Sequence, residues 1–515
     1  MDAPSWAAGG IACLAAASFL FLLLLLLSGH LCRRKLMLPP GPKPWPVIGN
    51  LNLIGPLLHR SLHDLSRIYG PIMKLRVGSY DVVVCSSADM AKTFLKTHDA
   101  VFAYRPKIAA GKYTAYNYSS MTWAPYGRYF QQARKIFLEQ LFSATRLQSY
   151  EYIRVEEMRV LTRSLFEAKG RLINLKDHLS DLNLNVVCRM VLGKKYTGTD
   201  NSDGSNVVSL EEFREMVDEL FLLTGVLNLG DFVPLLDFLD LQGYIKRMKA
   251  VNKKFDRFLE HILCEHEARR VGVKGHEAKD MVDVLLEHVD DPNLEVKIER
   301  HGVKALIQEL IAGGTEGSAA SVEWAMCELL KNPHIFEHAT QELDNIIGRE
   351  RWVQEADVRN LPYLDATIKE MMRLHPVGAF LAHRFASQDC KVAGYDIPKG
   401  TRVLVSKWSI GRDPELWDYP ESFRPQRFMG KAIDVKGQDF ELLPFGSGRR
   451  MCPGYNLGLR MIQTSLANLI HGFTWKLPGD MTREDLNMEE APGLSTPKKV
   501  PLVVVAEPRL PLYLY

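Results

Sequence analysis

Phe445-Gly446-Ser447-Gly448-Arg449-Arg450-Met451-Cys452-Pro453-Gly454 is the stretch on which the reading of this chain turns. An aromatic residue, glycines, a pair of arginines and one cysteine follow one another without a gap. Glycine has no side chain, so a backbone built on it can turn sharply and lie close to a flat ligand. Arg449 and Arg450 can hold anionic groups through planar, charge-assisted hydrogen bonds. Cys452, beside these cations and among backbone N–H groups, is stabilised as a thiolate, the form that binds metal. The plainer alternative is a glycine-rich surface turn with an idle thiol.

The order Phe-x-x-Gly-x-Arg-x-Cys-x-Gly, met by Phe445, Gly448, Arg450, Cys452 and Gly454, resembles the haem-binding signature of cytochrome P-450 enzymes, and it lies near the C-terminus as it does there. The resemblance implies a mainly helical fold with small β-sheets. It also implies haem b, iron protoporphyrin IX, with Cys452 as the axial iron ligand. Thiolate ligation favours O–O cleavage by donating electron density.

The bulk numbers agree with an ordinary globular protein: 515 residues, 46% hydrophobic and 24% charged. A formal charge of +3 and the lack of a long basic block argue against nucleic acid as a partner. The eight cysteines have no CxxC pair or regular spacing, which excludes a zinc motif and a disulfide scaffold and fits a reducing compartment.

Ala7 to Leu27 is almost wholly apolar, long enough in a helix for a bilayer core. Arg33, Arg34 and Lys35 follow it, whereas only Asp2 precedes it. The positive-inside rule then puts the N-terminus in the lumen and the rest in the cytosol. A cleaved signal peptide is the rival, but the apolar run is long for one and the cations are on the wrong side. Pro39-Pro40-Gly41-Pro42-Lys43-Pro44-Trp45-Pro46 reads as a stiff extended segment and resembles the proline-rich hinge of microsomal members of the family. The expected organisation is an anchor over 1–28, a basic stop-transfer and hinge over 29–46, and a catalytic domain over 47–515. The location expected for it is the endoplasmic reticulum membrane.

Further along, 71–77 and 81–85 read as a hairpin. The stretch from Phe102 to Tyr126, with Tyr113, Tyr116 and Tyr118, resembles the loop that covers the substrate in the family, with plain packing as the alternative. Phe130 to Lys135 stands where relatives carry Trp-Arg-x-x-Arg. Arg134 is implied to reach a haem propionate, while Phe130 and Gln131 depart from the pattern and remove one donor and one cation. Thr197 to Ser209 is polar and reads as an exposed loop. Leu210 to Leu223 and Tyr244 to Arg270 have helical periodicity. They bracket an apolar piece from Val226 to Leu236 that is either a lid touching the membrane or core.

Val303 to Leu330 reads as a buried central helix ended by Pro333. It contains Ala312-Gly313-Gly314-Thr315-Glu316-Gly317-Ser318, and paired glycines in a helix cost roughly 1 kcal/mol each. That cost implies a close approach to the backbone. Aligned with the family's oxygen-helix pattern, Gly313, Glu316 and Ser318 match, but Gly317 replaces a threonine whose hydroxyl helps deliver protons. Ser318 is turned about 100° away at 3.6 residues per turn. Either proton delivery passes through water, Glu316 or the substrate's hydroxyl, or slower delivery favours outcomes such as C–C cleavage.

Glu370 and Arg373, at i and i+3, share a helix face. They resemble the family's structural Glu-x-x-Arg element, with Arg427 of Pro425-Gln426-Arg427-Phe428 as the third member. Val377 to Ala382 is expected to border the substrate pocket, and Arg384 and His375 to contact propionates. Segments 392–398 and 401–405 read as strand–turn–strand, and 493–497 as a loop tip returned to the pocket.

The resemblance spans nearly the whole chain and points to plant microsomal members, the group of flavonoid hydroxylases and terpenoid oxidases. It implies a monooxygenase using O2 and electrons from NADPH through an external cytochrome reductase, since the chain carries no nicotinamide or flavin fingerprint of its own. The implied substrate is a lipophilic secondary metabolite. Gly317 tilts the reading towards oxidative cleavage of a terpenoid tertiary alcohol to a homoterpene. The alternatives are a phenolic hydroxylase, a hydroperoxide-rearranging haem enzyme needing no reductase, and a non-enzymatic haem binder.

Overall fold

A single helix, Arg300–Lys331, runs through the molecule, 32 residues long, or about 48 Å at 1.5 Å per residue. Its residues are buried on nearly every side, as befits a helix surrounded by protein. It stops at Asn332, and Pro333 opens the next helix, Pro333–Ile347, at a position where its missing N–H costs nothing. The computed structural model describes residues 36–195, 208–270, 278–289 and 291–515.

Around the central helix pack Leu175–Leu192, Leu210–Gly225, Tyr244–Arg270, Pro362–Leu374 and Tyr455–Gly472, with Glu151–Glu167 laid on the first and last of these. Their apolar faces merge into one large core that also takes in Trp324, Phe137 and Phe258. The small sheets lie to the side. Strands β1 (Ile72–Val77) and β2 (Tyr80–Cys85) form the expected hairpin. Its turn needs Gly78 at φ +54°, because a β-carbon there would meet the Phe232 carbonyl at 2.3 Å.

Strand β3 (Leu172–Asn174) belongs to a three-stranded sheet with β8 (Phe473–Lys476) and β9 (Val503–Pro508), in the order β3-β9-β8. β4 (Arg384–Phe385) and β7 (Arg402–Val405) complete a four-stranded sheet ordered β1-β2-β7-β4, in which β2 and β7 run parallel. The hairpin β5 (Cys390–Val392) and β6 (Tyr395–Ile397) stands apart. So 392–398 and 401–405 are not partners: the second segment follows the long-range pairing of its Val-Leu-Val run with β2.

The proline-rich segment is extended and docked on β1, where Lys74 N–H donates to Pro40 O at 2.8 Å and Asn50 Nδ2 to Lys43 O at 3.1 Å. The expected anchor, its three following cations and most of the polar loop from Thr197 lie outside the described residues. Among the described residues no helix is long and apolar enough to cross a membrane. The piece from Val226 divides its residues. Phe232 is buried beside Arg402, 4.8 Å from ring centroid to guanidinium, whereas Pro234 is exposed; Phe238, two residues beyond the piece, is 81% exposed.

Candidate cofactor and substrate cavity

A cavity of about 420 Å³ lies between the central helix and the cysteine loop. Phe445, Arg450, Cys452 and Gly454 line it from the loop, and Gly313, Gly317 and Ser318 from the helix. Arg134 comes from the helix Arg128–Ile136 and Arg384 from β4. Val377, Phe380 and Leu381 add an apolar wall.

The loop holds Cys452 by its backbone. Cys452 N–H donates to Phe445 O at 2.9 Å. Lys407 reaches the start of the loop, donating from Nζ to Pro444 O at 3.0 Å and to Val377 O at 2.7 Å. Cys452 is exposed and lines the cavity. Desolvation by the surrounding protein pushes its thiol up from its ordinary range, against the Gly454 N–H and the charges of Lys407 and Arg134, which favour the thiolate.

Gly448 serves a different purpose from the one the sequence implies. At φ +71°, its β-carbon would lie 2.5 Å from Leu95 O and 2.8 Å from Asp99 Oδ1. It lets the loop pack on that turn and does not line the cavity. Arg449 also faces away, paired with Asp99 at 3.0 Å and donating to Tyr126 Oη at 2.9 Å.

Four arginines gather at the cavity wall: Arg105, Arg134, Arg384 and Arg450. Arg134 donates to Met451 O at 2.8 Å. Arg450 donates to the carbonyls of Ala103, Met121 and Ala124 at 2.7, 2.9 and 2.6 Å, and lies 3.7 Å over the Phe130 ring. Phe130 therefore seats Arg450 by its ring face. Arg384 donates to Asp99 at 3.2 Å and to Ser447 O at 3.1 Å, and its buried Nε has no partner among the described residues. Burial draws Arg450 down to about 9, with the Arg384 charge adding to the effect, and it lowers Arg105, Arg134 and Arg384 as well. Crowded, desolvated cations with Asp99 and Glu309 as the nearby carboxylates fit a ligand that brings negative charge, such as a pair of carboxylates.

On the central helix, Gly313 has no atom near its absent side chain, and a β-carbon on Gly317 would meet only Val377 Cγ1, at 3.8 Å. Gly314 is different: a β-carbon would strike Val187 Cγ2 at 2.6 Å, so helix packing requires it. Glu316 turns away from the cavity, towards Lys176 at 3.4 Å and Ser495 Oγ at 3.4 Å. It is therefore not positioned as a cavity acid. Ser318 lines the cavity on the side of Gly458 rather than that of Val377.

His375 does not line the cavity. It stacks on Trp324 with centroids 4.1 Å apart and bonds Glu328 at 2.7 Å, which draws it into the frame and away from any propionate. The frame itself is dense. Glu370 and Arg373 are fully buried and joined at 2.7 and 2.8 Å, and Arg427 Nε reaches Glu370 at 2.9 Å. Arg373 also donates to Pro420 O at 2.7 Å and Ser422 O at 3.1 Å. Gln426 stands outside this group and donates to Tyr363 Oη at 3.3 Å.

Arg105, Lys407 and Glu309 are wall residues that the sequence reading missed. Lys407 alone left a sign, a lysine set in the run Val403-Leu404-Val405-Ser406-Lys407-Trp408. In the loop over the cavity, Met121 and Thr122 face inwards while Tyr118 packs, donating to Ile108 O at 3.1 Å.

A cavity-lining thiol across an apolar slot from a glycine-opened helix, with arginines grouped at the wall, suits a flat anionic cofactor bound through sulfur. The chain belongs to the cytochrome P-450 family, whose model matches residues 39–504. It is similar to a trimethyltridecatetraene synthase from Zea mays, 48% identical over 94% of this chain and 90% of that one. A dimethylnonatriene synthase from Zea mays is 47% identical over 98% and 97%. A flavonoid 3'-monooxygenase from Petunia hybrida is 43% identical over 96% and 97%. Among solved structures, a zebra fish cytochrome P-450 with progesterone superposes with a TM-score of 0.75 at 26% identity, covering 88% of this chain and 99% of that one. The protein is a monooxygenase of this family, with haem b as cofactor and electrons supplied from NADPH by a partner reductase.

Proposed function

We propose that this chain oxidises a lipophilic plant secondary metabolite, a terpenoid alcohol ahead of a phenolic. The observation that carries the reading is the facing pair of walls, Cys452 on one side and the side-chain-free Gly313 and Gly317 on the other, around an apolar slot. Cys452 would hold the haem iron, and Arg105, Arg134, Arg384 and Arg450 its propionates. Bound haem supplies the oxygen chemistry, with thiolate donation favouring O–O cleavage. The protein's part is to exclude water, fix the cofactor and orient the substrate carbon.

The open space at Gly317 favours C–C cleavage within that class, because no side-chain hydroxyl stands there to hand on a proton. The two maize relatives, named as synthases of hydrocarbons, support the same choice. Hydroxylation of a phenolic is the second reading, supported by the flavonoid 3'-monooxygenases at 43% and 44% identity.

The apolar N-terminal run and the hinge support an anchor over 1–28, a hinge over 29–46 and a cytosolic domain over 47–515 at the endoplasmic reticulum. Exposed Trp45, Val47 and Ile48 and exposed Phe238, Leu239 and Leu241 flank the same β1–β2 turn, where Gly49 pairs with Val77 and Ser79 N–H donates to Phe232 O at 2.8 Å. An apolar rim of that kind suits a membrane surface. Microsomes holding the full chain, a plant reductase and NADPH, incubated with terpenoid alcohols and flavanones, test the reading by product mass spectrometry. Fragmentation of a terpenoid alcohol supports the first reading and a hydroxylated flavanone the second. Turnover without NADPH, or no oxygen uptake with any compound, contradicts both.

A further inference from the structure

A smaller chamber of about 150 Å³ adjoins the main cavity and shares Thr122, Glu309 and Gly313 with its wall. Leu220, Phe221, Trp123 and Leu494 give it an apolar lining. Gln308 also lines it, five residues before Gly313 on the central helix, about 7.5 Å of rise. The amide is 4% exposed. Its Nε2 donates to Thr114 O at 2.8 Å, which fixes which way the group points, and Oε1 has no partner among the described residues.

Two hydroxyls here have committed their protons, and Ser120 Oγ accepts the Trp123 backbone N–H at 3.4 Å. Thr114 Oγ1 donates to Ala110 O at 2.6 Å, and Thr224 Oγ1 to Leu220 O at 2.7 Å. Glu309 already accepts the N–H groups of Met121 and Thr122, at 2.6 and 2.7 Å. At Gln308 Oε1 the chamber therefore offers a ligand an unclaimed acceptor oxygen. A buried acceptor left unpaired is costly, and a ligand donor relieves that cost. Ketones, ethers and carboxylates bring no such donor; alcohols and phenols do.

We propose that Gln308 Oε1 accepts a hydrogen bond from a hydroxyl of the substrate, so that Gln308 selects hydroxylated substrates over their deoxy counterparts. The inference rests on the reading that substrate enters above the haem, and it adds the functional group that is recognised and the residue that recognises it. The remainder of the ligand passes Gly313 into the main cavity.

The test is binding to the haem-loaded full chain, followed by the change in the haem absorption spectrum on titration. The probes are an acyclic sesquiterpenoid tertiary alcohol and its deoxy hydrocarbon, and a flavanone with and without its phenolic hydroxyls. The expected result is about a tenfold preference for the hydroxylated member of at least one pair. Gln308→Leu should remove that preference without weakening the deoxy ligand, while Gln308→Glu, which keeps an acceptor, should retain it. Equal binding of both members of each pair by the unaltered protein overturns the inference, as does a preference unchanged in Gln308→Leu. Loss of the preference in both variants, with a reduced-CO spectrum like that of the unaltered protein, also overturns it. Failure of the monooxygenase reading shows separately, as absence of NADPH-dependent oxygen uptake, because the titration needs no turnover.

Discussion

Gly317 faces Val377 across open space: a methyl group on Gly317 would lie 3.8 Å from Val377 Cγ1, an ordinary contact. The helix therefore has room for a β-carbon at this position. Its absence is not imposed by packing, in contrast to Gly314 three residues earlier.

Gly317→Thr should fold and bind haem normally, since its β-carbon displaces no neighbour. The expected change is chemical, a shift in product ratio away from C–C cleavage and a change of severalfold in hydrogen peroxide released per NADPH consumed. Product mass spectrometry and a peroxide assay read it. An unchanged profile removes this position from the account.

Glu370→Ala and Arg373→Ala each leave a charge buried without its partner, at a cost of about 3–5 kcal/mol. Both should fail to incorporate haem, read as loss of the reduced-CO band. Arg427→Ala should be milder, because Glu370 keeps Arg373 as its partner.

Gly448→Ala should destabilise the cysteine loop, because a β-carbon meets the Leu95 carbonyl and the backbone is left-handed at φ +71°. Gly454→Ala meets only Phe142, at 3.6 Å, so in the absence of ligand it should be tolerated. Comparing thermal midpoints of the two haem-free variants separates these outcomes.

His383 is held down to about 4 by burial, with the Arg402 and Arg105 charges adding to the effect, against an ordinary 6.5. Between these values the unfolded chain binds the extra proton and the folded one does not, so stability falls as pH drops from 6.5 to 4. The full effect is roughly 3 kcal/mol at 1.36 kcal/mol per unit. Denaturant unfolding of His383→Asn should show a flatter pH dependence across that window, by about one proton.

The cysteine loop, the central helix and the Glu370–Arg373 pair were legible because each is a local pattern with a fixed spacing. Tyr244–Arg270 appears at the bounds its periodicity suggests. What escaped depends on distant partners. Gly448 answers to Leu95 and Asp99, and His375 is captured by Trp324 and Glu328 from another helix. Glu316 could be read as a cavity acid until Lys176 and Ser495 were seen to claim it. The pairing of β7 with β2, from opposite ends of the chain, left the neighbouring β5–β6 hairpin on its own.

The central claim is that Cys452 binds the haem iron within an otherwise intact cavity. The reduced-CO absorption spectrum of the Cys452→Ser variant, recorded beside the unaltered protein, tests it most directly. The account predicts a thiolate-type band in the unaltered protein and its loss in the variant, with circular dichroism unchanged. The same thiolate-type band in both proteins would contradict it.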